Sequence, residues 1–199
     1  MDDDFMRDLT SVCVYCGSSN RVSDRFKEAA RALGGELASK GVALVYGGGQ
    51  VGLMGIAADA ALDGGGAVIG IIPSHIRDME VDHAGLTELH VVDSMHTRKM
   101  MMFDRSDAFV ILPGGLGTLD EMFEIITWRQ LAIHDKPVVL VNIDGYWDPM
   151  IAMMDSMIQA GFVRPEHKNL FSVVDSVGAV LPALEREPTP VIEPQTKWL

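Results

Sequence analysis

The sequence holds only two cysteines in 199 residues, Cys13 and Cys16. Spaced as C-x-x-C they would suit a redox dithiol or half of a zinc set, but there is no second pair to complete the set. They fall in the β-rich run Val12-Cys13-Val14-Tyr15, where residues three apart point to opposite faces of a strand, so the sulfurs should not meet. Two reduced, structural thiols are expected. Basic residues are also scarce. Sixteen Lys and Arg stand against 28 Asp and Glu, and the net charge of −12 repels polyanions, which argues against a nucleic-acid partner. A small phosphorylated ligand stays open, because a helix N-terminus supplies a local positive field without net positive charge.

Other absences narrow the chemistry. No apolar run approaches the roughly 18 residues of a membrane span. The start, Met1-Asp2-Asp3-Asp4, is acidic where a secretory signal would be basic, so a cytoplasmic chain without a membrane partner is expected. The six histidines show neither His-x-Glu nor His-Glu-x-x-His spacing, and no metal site is expected. Ser18 and Ser19 lack a Gly-x-Ser-x-Gly frame, and no glycine turn is followed by the Lys-Ser/Thr of a Walker loop.

What is present is an alternation. Short Val/Ile-rich runs, at Val12 to Tyr15, Val42 to Tyr46, Val68 to Ile72, Leu89 to Val92, Ala108 to Leu112, Val138 to Asn142 and Phe171 to Val174, are separated by helical patterns. That rhythm predicts βαβ units around a doubly wound parallel sheet with helices on both faces, an α/β fold in a single domain. Helices are predicted from Ser23, as cap, to Lys40 with Gly41 as stop, and over Gly52 to Asp63, Ser94 to Arg105, Thr118 to Ile133 and Pro149 to Ala160. The methionines of the last helices are mostly core by spacing. Residues 1–11 read as an extension, 12–186 as the domain, and 187–199, with three prolines, as a tail.

Two strand-to-helix turns are dense in glycine. Gly47-Gly48-Gly49-Gln50-Val51-Gly52 fits the dinucleotide fingerprint, but the region about 20 positions on reads Ile71-Ile72-Pro73-Ser74, without the acid that would hold a ribose. That omission disfavours a nicotinamide-dependent oxidoreductase. The second turn, Pro113-Gly114-Gly115-Leu116-Gly117-Thr118, closes one strand and opens a helix, and can offer several free N–H donors to one phosphate. In a parallel sheet both turns and Cys16-Gly17-Ser18-Ser19 share the carboxyl edge, where a crevice is expected.

Glu121 has two readings. Thr118-x-x-Glu121 is a capping box, and the carboxylate could simply bond the cap N–H. Alternatively, a glutamate one turn inside a phosphate-binding helix faces the sugar, where it can stabilise an oxocarbenium-like transition state or orient water. Arg98 and Lys99 likewise read either as a solvated pair or as a phosphate-holding or leaving-group-polarising site.

The ordered set Cys16-Gly17-Ser18-Ser19, Tyr46-Gly47-Gly48-Gly49-x-x-Gly52-Leu53-Met54-Gly55, Met95-His96-x-Arg98-Lys99, Pro113-Gly114-Gly115-x-Gly117-Thr118-x-x-Glu121 and Trp128-x-Gln130-Leu131-x-Ile133-His134-x-Lys136-Pro137 closely resembles the LOG (Lonely Guy) family, the cytokinin riboside 5′-monophosphate phosphoribohydrolases. The likeness covers about Val12 to Leu184. It implies a Rossmann-like fold, a homodimer, no metal or organic cofactor, and hydrolysis of nucleoside 5′-monophosphates such as cytokinin nucleotides or AMP. Arg98 and Glu121 would be the catalytic pair. Gly114, Gly115, Gly117 and Thr118 would cradle the phosphate, with Lys99, Gly48, Gly49 and Ser18 nearby. Glu80, in the loop from Ser74 to Thr87, would approach the base or the partner subunit. The one departure is Ala132, where the family motif has glycine. Relatives of this fold carry an older lysine decarboxylase label, but no lysine here has the setting of a pyridoxal Schiff base. The alternative reading is a non-catalytic nucleotide or molybdenum-cofactor carrier module, which has no need of a carboxylate at a scissile bond.

Overall fold

The β-branched runs become seven parallel strands in the computed structural model, which describes residues 7–77, 83 and 85–186. They are β1 (Ser11–Tyr15), β2 (Ala43–Tyr46), β3 (Val68–Pro73), β4 (Glu88–Val92), β5 (Ala108–Ile111), β6 (Val138–Val141) and β7 (Ser172–Val174). Between and after them lie helices α1 (Asp24–Ser39), α2 (Gly52–Asp63), α3 (Ser74–Arg77), α4 (Met95–Asp104), α5 (Leu116–Gln130), α6 (Asp148–Gln159) and α7 (Val180–Arg186). The strand order is β4-β3-β2-β1-β5-β6-β7. Order therefore reverses between β1 and β5, and the loops leaving those two strands diverge to open a crevice at the carboxyl edge.

Both faces of the sheet are covered, as runs apolar on each side require. Val12 and Val14 pack with Leu33, Leu37, Ala57 and Leu181 of α1, α2 and α7, whereas Cys13 and Tyr15 pack with Met102, Ile125 and Met154 of α4, α5 and α6. The two thiols are free and buried, and they belong to opposite cores. Strand alternation alone separates them.

The helix boundaries agree with the sequence reading at most ends and differ where a cap is not a side chain. Ser23 occupies the N-cap of α1, but its side chain makes no capping bond. Ser94 does cap α4, its hydroxyl accepting from Thr97 N at 3.1 Å. Helix α5 starts at Leu116 with Gly115 as its cap, so Thr118 lies inside the first turn and the capping-box reading of Thr118 and Glu121 does not hold. Helix α7 was not legible in the sequence, since its apolar Val180, Leu181 and Leu184 are too few to show a period. The predicted tail from Glu187 lies outside the described residues.

Ala132, the departure from the family glycine, closes a Schellman motif. Its N–H donates to Arg129 O at 3.0 Å and the next N–H, of Ile133, donates to Trp128 O at 2.9 Å. Ala132 consequently sits at φ 55, in the left-handed region. The same motif ends α1, α2 and α6, and there the left-handed residue is Gly41, Gly65 or Gly161. A Cβ in that conformation costs roughly 1–2 kcal/mol, of which glycine's greater freedom when unfolded gives back about half. Ala132→Gly should therefore stabilise the exposed end of α5 by about 0.5–1 kcal/mol. Thermal unfolding should move up by about 1–3 °C; an unchanged or lower Tm would mean that the strain is absorbed elsewhere.

Candidate active site

Three loops meet over the β1–β5 switch point and enclose a cavity of about 310 Å3. Its walls are Cys16, Gly17 and Ser18 from the β1 loop, Met54 of α2, Ile76 of α3, Met95 and Arg98 of α4, and Gly115, Leu116, Gly117, Thr118, Asp120 and Glu121 from the start of α5. The size is at the lower end of small-ligand sites, which run from roughly 300 to 1,000 Å3. A second cavity of about 320 Å3 lies across the same turn, lined by Val22, Phe26, Leu53, Pro113, Gly114 and Tyr146, and it shares Gly17, Ser18 and Gly115 with the first.

The α5 turn is shaped to expose backbone. A Cβ on Gly114 would stand 2.1 Å from Thr118 Oγ1, so glycine alone lets the turn fold down on the buried threonine. Gly115, Leu116 and Gly117 are exposed, and the first-turn amides of α5 have no intrahelical acceptors, so the cavity meets the positive end of the helix. Leu116 itself is 86% exposed at the cavity mouth.

The other glycine turn, between β2 and α2, does something different. Gly52 at φ 74 could not carry a Cβ without meeting Ser18 C at 2.3 Å, and the following N–H, of Leu53, donates to Gly17 O at 2.9 Å. A Cβ on Gly47 would sit 2.0 Å from Arg98 Nη2. The fingerprint glycines thus serve close packing of α2 on the β1 loop and of Arg98 on β2. Gly48 and Gly49 are buried in this turn and stand outside the cavity wall.

Arg98 is 5% exposed, with Nη2 donating to Gly47 O at 2.8 Å, and it reaches the cavity from the first turn of α4. The solvated-pair reading therefore fails for Arg98. Glu121 is half-buried in the cavity wall on the opposite helix. Its charge is felt at the end of β1: burial pushes the Cys16 and Cys13 thiols well up, and the Glu121 carboxylate pushes them further. Cys16 is thus an inert part of the wall rather than a nucleophile.

Lys99 points elsewhere. Its ammonium pairs with Asp120 Oδ2 and Glu124 Oε2, each at 3.1 Å, one turn apart on α5. Burial pushes its pKa down, but the hydrogen bonds to those two carboxylates outweigh this and hold it above the usual lysine value. Lys99 ties α4 to α5 beside the cavity and is not in its wall. Of the residues expected at the site, Arg98, Glu121, Gly115, Gly117, Thr118 and Ser18 come together in one cavity, and Gly114 lies directly behind it. Glu80 lies outside the described residues. Sequence reasoning missed Asp120, although the stripe Gly117, Asp120, Glu121 at helical spacing marks it, and it missed the apolar wall of Met54, Ile76 and Met95, which carries no local signal.

No group of three or more His, Cys, Asp or Glu side chains that could hold a metal stands among the described residues, and none of their helices is long and apolar enough to cross a membrane. A switch-point crevice at a helix N-terminus, with an Arg and a Glu from two helices in its wall, defines an α/β protein of Rossmann-like fold. Comparison agrees. The chain is 43% identical over 189 residues to a probable cytokinin riboside 5′-monophosphate phosphoribohydrolase of Oryza sativa subsp. japonica, covering 94% of this chain and 85% of the relative. It is 44% identical over 174 residues to a cytokinin riboside 5′-monophosphate phosphoribohydrolase of Arabidopsis thaliana, covering 87% and 81%. Residues 54–184 match the family described as "Possible lysine decarboxylase". Among solved structures, the molybdenum cofactor binding protein of Rippkaea orientalis superposes with a TM-score of 0.67 at 22% identity, covering 88% of this chain and 94% of that one, and so shares the fold. The chain belongs to the LOG family of phosphoribohydrolases.

Proposed function

We propose that the protein hydrolyses the N-glycosidic bond of a nucleoside 5′-monophosphate, a cytokinin riboside 5′-monophosphate or AMP, to the free base and ribose 5-phosphate. The observation that carries this reading is that Arg98 and Glu121 face one cavity whose floor is the exposed-amide turn of α5. The 5′-phosphate accepts from the amides around Gly115 to Thr118 at the positive helix end. The ribose then lies along the first turns of α5 against Glu121, and the base rests on Met54, Ile76 and Met95. As the C1′–N bond breaks, the ribose ring becomes cationic, and the Glu121 carboxylate stabilises it and orients the water that adds to C1′. The electron pair and a proton leave with the base, whose departure the Arg98 guanidinium favours.

The relatives' names support this reading over a carrier role, as does a carboxylate placed beside a sugar site, for which a carrier has no use. The older decarboxylase description gains no support from the cavity, whose described wall contains no lysine to form a Schiff base. We extend the proposal to a cytoplasmic homodimer. The exposed apolar side chains of Leu131, Ile133 and Phe162 offer surface that a second copy would cover. The test takes the protein at its solution mass, expected to be that of a dimer, and incubates it with a panel of nucleoside monophosphates, followed by chromatography for free base and ribose 5-phosphate. Release of base from monophosphates but not from the matching nucleosides is the expected result. Absence of any released base across the panel would refute the hydrolase.

A further inference from the structure

The connection between β6 and α6 is bent and braced well beyond what joining a strand to a helix needs. Asp144 holds φ 50 and ψ 36, a left-handed conformation uncommon outside glycine though better tolerated by aspartate than by most residues, and Gly145 follows at φ 74. Asn142 fixes both sides of the bend, its Oδ1 accepting from Trp147 N at 2.7 Å and its Nδ2 donating to Asp148 Oδ1 at 2.8 Å. Arg25 reaches from α1 to Asp144 Oδ2 at 2.6 Å. Strain held in place by surrounding bonds commonly marks a functional loop.

What the bend delivers is Tyr146. Its ring stands edge-on to Phe26 at 5.4 Å and to Trp147 at 4.9 Å, and its hydroxyl donates to the Gly114 carbonyl at 2.6 Å. That carbonyl belongs to the same peptide unit as the N–H of Gly115. The chain has no cis peptide bond among its described residues, so the two groups point in opposite directions across one plane. With the oxygen held toward Tyr146, the N–H is aimed away from it, across the turn. A peptide between two glycines is the easiest of all to rotate, because neither neighbour has a Cβ to resist. The rest of the turn is pinned separately, with Gly17 N donating to Pro113 O at 3.1 Å and Gly114 lying on Thr118.

We propose that Tyr146 is a positioning residue for phosphate binding: its hydroxyl locks the Gly114–Gly115 peptide with the N–H toward the reaction cavity and polarises it as a donor. This rests on the phosphate-binding reading of the α5 turn. In this role Tyr146 acts through the backbone, from the side of the turn that faces the second cavity. The bracing of residues 142–148 keeps its hydroxyl within reach of one carbonyl rather than free to follow the solvent.

The test is Tyr146→Phe, which keeps the ring between Phe26 and Trp147 and removes only the hydroxyl. The KM for AMP and the inhibition constants of inorganic phosphate and ribose 5-phosphate should each rise about fivefold, as expected for one neutral hydrogen bond, with kcat within twofold. The parallel rise for phosphate alone separates this role from a merely structural one, which would lower active fraction and kcat without moving a phosphate inhibition constant. Unchanged KM and phosphate inhibition in the variant, or a fall in kcat alone, would overturn the role of Tyr146 while leaving the phosphate site standing. If neither phosphate nor ribose 5-phosphate competes in the unmodified protein, the phosphate site itself falls, and this role with it.

Discussion

Glu121→Gln should lower kcat for AMP hydrolysis by about 10³-fold, within the span observed when a positioned acid–base or charge-stabilising group is removed. The substitution keeps the volume, turns one acceptor oxygen into an N–H donor, and removes the negative charge that the proposed mechanism sets against the cationic ribose. KM and the inhibition constant of ribose 5-phosphate should stay within about threefold, because in the proposed site the phosphate is held by backbone amides that this side chain does not provide. The split matters because it separates loss of transition-state stabilisation from loss of binding. The cap of α5 is untouched by the change, since the helix begins at Leu116, three residues earlier than a Thr118 cap would require. Steady-state kinetics with single-turnover confirmation checks this. A variant that retains more than a tenth of the parent kcat would remove Glu121 from the chemistry.

The positions of Glu121 and Arg98 were legible in the sequence as far as the fold was. A βαβ rhythm places every strand-to-helix turn on one edge of the sheet, so the three motif-bearing loops had to converge. What could not be read was the division of labour among the glycines. The family likeness put Gly48 and Gly49 of the first turn beside the ligand together with Gly115 and Gly117 of the second. Only three-dimensional contact shows that Gly52 admits the Ser18 backbone and Gly47 admits a guanidinium, whereas Gly115 and Gly117 face the cavity. Lys99 shows a related limit. Next to Arg98 on the same helix, it is rotated about 100° away, and whether that direction meets ligand or protein depends on the neighbouring helix. It meets Asp120 and Glu124. Tyr146 had no signal at all, since its target is a carbonyl 32 residues away in sequence.

Arg98 is where chemistry and architecture are hardest to separate, and a pair of substitutions can part them. Its guanidinium is almost wholly buried, spends Nη2 on the Gly47 carbonyl at 2.8 Å, and still lines the cavity. Lysine has one point of charge where arginine has a planar fork, so Arg98→Lys cannot anchor on Gly47 and face the substrate at once. A loss of about 10²–10³-fold in kcat/KM is expected, comparable to removing a preorganised charge-stabilising donor. Because a buried carbonyl also loses a charged donor, unfolding free energy should fall by about 1.5–3 kcal/mol if the lysine turns away. Gly47→Ala supplies the complementary case. It removes no functional group, but its Cβ would sit 2.0 Å from Nη2 and must push the guanidinium off its seat. If the geometry of Arg98 is what counts, Gly47→Ala should reproduce at least a tenfold part of the kinetic loss. Full activity in Gly47→Ala would mean that the guanidinium works from more than one position, and its anchoring on β2 would then be packing alone.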